Sequence, residues 1–158
     1  MMSLRAFFLQ LFENAKPKKQ WENKDYRLAT AALLVRVATI NGEMSQLRRV
    51  KLHAALKSSF GLNHLATSKL IDGAAAAERS AIDLYYFTRR LNKVLDDEGR
   101  RKIVEMMWEI IYVDGSVNEW EVNIIWRASD LLGVSSRERI ALRQRVAASK
   151  AVLSAVSS

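Results

Sequence analysis

The chain holds no cysteine, a single proline and only six glycines among its 158 residues. The first absence excludes disulfides, thiolate zinc sites and cysteine nucleophiles together, and is compatible with a reducing interior. The scarcity of proline and glycine, with no polar low-complexity tract, argues against extended disorder. No uncharged apolar run approaches the roughly 20 residues a membrane-spanning helix needs, because Arg36, Glu105 and Glu109 interrupt the most hydrophobic stretches. His53 and His64 are the two histidines, and neither has the i, i+4 partner of a helical zinc pair, so both read as surface or half-buried. No G-x-S-x-G, phosphate-binding glycine loop or dinucleotide fingerprint occurs. Asp83, Glu105 and Glu109 could pair as acid and base, but nothing in their spacing sets the separation such work demands. No enzymatic activity is expected.

What is present is apolar and basic, with 49% hydrophobic residues and a formal net charge of +8. That length and content suit one compact domain. The charge predicts attraction to anionic surfaces, either nucleic acid or the inner membrane face. The cations of Arg48, Arg49, Lys51 and Arg137 to Arg145 are spread over several expected helices with acids nearby. They do not form the compact reading pair of a DNA-binding motif, so nucleic acid is not expected as a partner.

One stretch organises the rest. MMWEIIYVDGSVNEWEVNII, from Met106 to Ile125, reads as a long apolar helix, an acidic Asp114-Gly115 corner and a second helix. A weaker copy, LLVRVATINGEMSQLRRVKL, runs from Leu33 to Leu52. Aligning Asn41-Gly42 with Asp114-Gly115 matches Val35 to Trp108, Val37 to Ile110, Ile40 to Val113, Ser45 to Asn118 and Leu47 to Trp120. A unit of this kind cannot bury its apolar face alone, so two copies are expected to face each other with their corners adjacent.

In chain order, Leu4, Phe7, Phe8, Leu11 and Phe12 have the spacing of an amphipathic helix that Pro17 ends, followed by Lys16, Lys18, Lys19, Trp21 and Lys24. Residues 1–24 are thus an amphipathic and basic extension. Phe7, Phe8, Leu11, Phe12, Lys18, Lys19 and Trp21 are its candidates for contact with a membrane or a partner, if the helix does not simply cover its own bundle. The helical domain is expected over 25–150, with a frayed tail over 151–158. Its first helix carries Leu28, Ala31, Ala32, Val35 and Ile40 inward, and the second Leu47, Val50, Leu52, Leu56 and Phe60. Ser45, Asn63, Asn118 with Glu121, and Ser135 with Glu138 supply helix starts, and Ser80 with Asp83 resembles a further capping box. Trp108, Trp120 and Trp126 read as packing. No segment alternates with a two-residue period, so no sheet is expected. The result is an all-α bundle of about seven helices with a pseudo-twofold internal repeat, plus the N-terminal helix.

The chemistry of interest sits at the corners. Asp114 to Glu121, DGSVNEWE, matches the back half of a calcium loop, while Ile110 and Tyr112 stand where the first two ligands would be. Two carboxylates fall far short of the six or more oxygens calcium takes. Further donors would have to come from the other corner and from Glu43, Asp83 or Glu109. In the first copy, however, the Asp is Asn41 and the closing Glu is Arg48. Two readings stay open beside metal binding. Asp114 and Glu121 serve helix caps, or the Arg48 guanidinium takes the cation's place and pairs with Asp114 or Glu121.

The segments ALLVRVATINGEMS, AIDLYYFTRRL, EMMWEIIYVDGSVNEWE and LLGVSSRER, within about Asp25 to Arg145, resemble the TerB family of tellurite-resistance proteins, a domain similar to the N-terminal part of DjlA co-chaperones. The resemblance implies a helical bundle without catalytic activity, an acidic site for a divalent metal (calcium, magnesium or zinc) and a place in stress responses at the inner face of the membrane. Carried over by position, it implies metal-site roles for Asp114, Glu121, Glu43 and Asp83, while Asn41 and Arg48 depart from the pattern. The expected partners are proteins of a stress-response complex or the inner membrane surface, the expected location is the cytoplasm, and the oligomeric state stays open.

Overall fold

The structure is a computed structural model that describes residues 18–115 and 117–157. The described residues form seven α-helices and no strand: α1 (Lys18–Ala38), α2 (Gln46–Phe60), α3 (His64–Ser80), α4 (Tyr85–Val94), α5 (Asp97–Tyr112), α6 (Glu119–Leu131) and α7 (Ser136–Ser157). The first helix therefore begins inside the basic segment, not at Asp25, and the last runs on through the stretch expected to fray.

Two helices are buried on nearly every side, which is how a helix at the centre of a bundle behaves. Ala29, Ala31 to Val35, Val37 and Ala38 make α1 such a rod, and Ile103, Val104, Met106 to Trp108, Ile110 and Ile111 do the same for α5. These are the first helices of the two repeats. Around them, α3 and α4 pack on α1, and α7 packs on α5. Each fully buried Leu, Ile or Met contributes about 1.5–3 kcal/mol over its exposed state, so the two rods carry much of the stability.

Local chemistry sets the element ends. Ser45 accepts the amide of Arg48, Asn63 that of Ala66, and Asp96 that of Gly99, each capping the helix that follows. Asn118 and Glu121 form a complete capping box, as do Ser135 and Glu138. The corners exit through Gly42 (φ 122°) and Gly115 (φ 77°), conformations that side chains with a Cβ rarely adopt. Ser80 and Asp83 do not form the expected box. Ser80 belongs to α3, where its hydroxyl donates to the Ala76 carbonyl, and Asp83 accepts the amide of Tyr85 two residues on.

The inward stripes of α2 and α6 also differ from expectation. On α2 the buried positions are Arg48, Leu52 and Leu56, while Leu47 and Val50 are 55% and 57% exposed. On α6 they are Glu121, Ile125, Ala128 and Ser129, leaving Trp120 and Trp126 largely in solvent. Ile40, on the first corner, is likewise exposed.

Candidate functional site

The two corners meet. Ser45, at the start of α2, donates its hydroxyl to Asp114 Oδ2 at 3.3 Å. One turn along α2, Arg48 reaches across to the second corner, with Nε 3.2 Å from Asp114 Oδ2 and Nη1 2.5 Å from Glu121 Oε2. Its Nη2 donates to the main-chain carbonyl of Ile111 at 3.3 Å. A rigid, planar guanidinium is what lets one side chain lie against oxygens of three residues, donating to Ile111 and pairing by charge with Asp114 and Glu121. The Arg48 side chain is 7% exposed, that of Glu121 2% and that of Asp114 22%. The pairing is thus desolvated on the α2–α6 side and open only at Asp114.

Glu121 has a separate task for each oxygen. Oε1 accepts the Asn118 amide and completes the capping box, while Oε2 faces Arg48. Capping and cation pairing, which the sequence presents as alternatives, hold at once.

The other two residues named from the sequence do not join this cluster. Glu43 is exposed on the first corner, and Asp83 is exposed with Oδ1 on the Tyr85 amide. Among the described residues no group of three or more His, Cys, Asp or Glu side chains is placed to hold a metal ion. The residues present therefore do not fit a resident divalent ion: the two carboxylates that converge already share a guanidinium. Of the proposed contact residues, Phe7, Phe8, Leu11 and Phe12 lie outside the described residues. For Lys18, Lys19 and Trp21 only the helical backbone is described.

Glu105 and Glu109 on α5 are tied to cations. Lys51 Nζ lies 3.9 Å from Glu109, and Glu105 takes hydrogen bonds from both Lys102 and Arg145. Burial alone would push the Glu105 carboxyl up, but the bonds and charges of Arg145 and Lys102 together outweigh it and hold it below its ordinary value of 4.5. A carboxylate held ionised in this way is poorly suited to donate a proton at neutral pH. Two cations of the basic helix α7 are also turned onto the bundle. Arg143 donates to the Tyr112 hydroxyl and lies 5.0 Å from the Trp108 ring centre, and Lys150 donates to the Val113 carbonyl.

Sequence reasoning missed one pairing and one surface. His53 and His64 pack with ring centres 4.6 Å apart and planes tilted by 40° at the α2–α3 hairpin, with His53 Nε2 3.4 Å from the Ser68 hydroxyl. No local spacing could announce that, because the hairpin brings them together from separate helices. The surface is the exposed pair Leu47 and Trp120. They match in the repeat alignment and directly precede Arg48 and Glu121, which join across the junction.

No described helix is long and apolar enough to cross a membrane. A family model described as tellurite resistance protein TerB matches residues 27–144. Neither the curated proteins nor the solved structures compared with the chain give a match.

Proposed function

Because the chain belongs to the TerB family, we propose that it is a non-enzymatic binding module of tellurite or general stress resistance, which docks a protein partner at the face where its two corners meet. The observation that carries this reading is that Leu47 and Trp120, 55% and 69% exposed, each directly precede one partner of the buried Arg48–Glu121 ion pair. Exposed aromatic and aliphatic side chains beside a buried ion pair supply apolar contact area without demanding that a buried charge be desolvated again on binding. A Trp at such a place is the residue type that most often dominates binding energy.

Metal-centred sensing is the less favoured form of the same family role, since the two converging carboxylates are already neutralised in part by Arg48. Nucleic acid is disfavoured too. Arg143 and Lys150 of the most basic helix are half-buried on Tyr112 and Val113, and the exposed Arg145 is paired with Glu105.

The test uses cells that depend on this protein for tolerance of tellurite or an oxidant. A chain carrying Leu47→Asp and Trp120→Asp should lose the protection while keeping the parent melting temperature. Protection equal to the parent would overturn the reading.

A further inference from the structure

We infer that Arg48 is this chain's covalently supplied substitute for a divalent cation, so that its two halves close at the corners without any ion. The inference concerns what holds the corners, not what docks beside them, and it stands whether or not the docking face is real.

Three observations lead to it. First, the acceptors around the guanidinium are two carboxylates and a main-chain carbonyl, Asp114, Glu121 and Ile111, at 3.2, 2.5 and 3.3 Å. These are hard oxygen donors, the kind calcium and magnesium take. Second, Arg48 and Glu121 stand at matching places when Asn41-Gly42 is laid on Asp114-Gly115. Halves carrying the same acid there would turn a third carboxylate toward Asp114 and Glu121, and like charges so close must be neutralised by protons or a cation. Third, the charge balance is the same either way. Two carboxylates facing one guanidinium leave a single negative charge, as do three carboxylates around a divalent ion.

The exchange also changes what the junction depends on. An ion leaves when its concentration falls, whereas a side chain that is 7% exposed and anchored on α2 cannot. The corner face of this chain is therefore set permanently, with no response to cellular calcium or magnesium.

The test compares the full-length parent, Arg48→Glu, and Arg48→Glu combined with Asp114→Ala. Each is melted by circular dichroism in chelator and in about 2 mM calcium, magnesium or zinc, against sodium of equal ionic strength. The glutamate side chain is about two bonds shorter than arginine, which leaves space for an ion with oxygens at about 2.3–2.6 Å. The parent should melt at the same temperature throughout. Arg48→Glu should melt lower in chelator and rise by about 4–6 °C with at least one of the ions, the shift expected of a site near 0.1 mM affinity in a domain of roughly this size. The double variant should lose that rise. If Arg48→Glu does not fold in chelator, helical signal recovered from urea only with an ion present supports the inference. A parent stabilised by an ion, an Arg48→Glu chain that no ion stabilises or refolds, or a double variant that keeps the response would each overturn it.

Discussion

Arg48 and Glu121, matching positions of the two repeats, meet at 2.5 Å with 7% and 2% of their side chains exposed. A desolvated pair of this kind adds little over a well-packed apolar pair, but losing one member leaves the other's buried charge undercompensated, at up to about 3–5 kcal/mol, and without Glu121 the Arg48 guanidinium keeps only the Asp114 carboxylate. Here the loss also removes half of a capping box. Glu121→Ala should accordingly destabilise the protein by about 3–5 kcal/mol, against about 1 kcal/mol for Asn118→Ala, which loses only a cap. Urea denaturation monitored by helical signal measures both. Similar costs for the two variants would mean that the pair contributes nothing beyond the cap.

Two of the four tryptophans, Trp108 and Trp120, both read from the sequence as packing residues, are treated in opposite ways by the fold. Trp108 is 1% exposed on α5, between the bundle interior and the Arg143 guanidinium, while Trp120 is 69% exposed. Trp108→Ala should cost about 3–5 kcal/mol through the cavity it opens. Trp120→Ala, away from any buried contact, should stay within about 0.5 kcal/mol of the parent. Chemical denaturation of the two variants checks the contrast, and acrylamide quenching should fall markedly in Trp120→Ala and little in Trp108→Ala.

Much of the bundle was legible because its strongest signals are local. The apolar rods of α1 and α5, the caps at Ser45, Asn63, Asn118 and Ser135, and the positive-φ glycines at both corners need no knowledge of distant contacts. The stripes of α2 and α6 were not read correctly, and for one reason. Each begins with a charged residue, Arg48 or Glu121, that is buried only because the other neutralises it across the junction. A reading that admits only apolar residues to the core passes over both and turns Leu47, Val50 and Trp120 inward on paper, although it places Leu52 and Leu56 correctly. The Ser80 and Asp83 cap failed because Ser80 is the last residue of α3, which Ala81 ends by leaving the helical conformation. The candidate site was legible in half: Asp114 and Glu121 converge, on Arg48 as the corner swap allowed, while Glu43 and Asp83 share only their acidity with them.

Glu105 gives the fold a defined response to acid. Its carboxyl is held below 4.5 in the folded chain by Arg145 and Lys102, despite the opposing effect of burial. A group whose folded value is depressed binds its proton more readily when unfolded, so its contribution is complete above the unfolded value and disappears as pH falls through the folded one. Arg145 is 67% exposed, so water and salt screen much of the attraction and the contribution is modest. Glu105→Gln keeps the side-chain size and removes the charge. At low ionic strength the variant should be less stable than the parent at neutral pH, and the difference should close as pH falls below 4.5 and through the folded value, where the parent's carboxylate takes up its proton. Urea titrations of the two proteins across that range measure the gap. A gap that stays constant into acid would place the stabilisation in packing or neutral hydrogen bonds, not in the charge that Arg145 and Lys102 hold on Glu105.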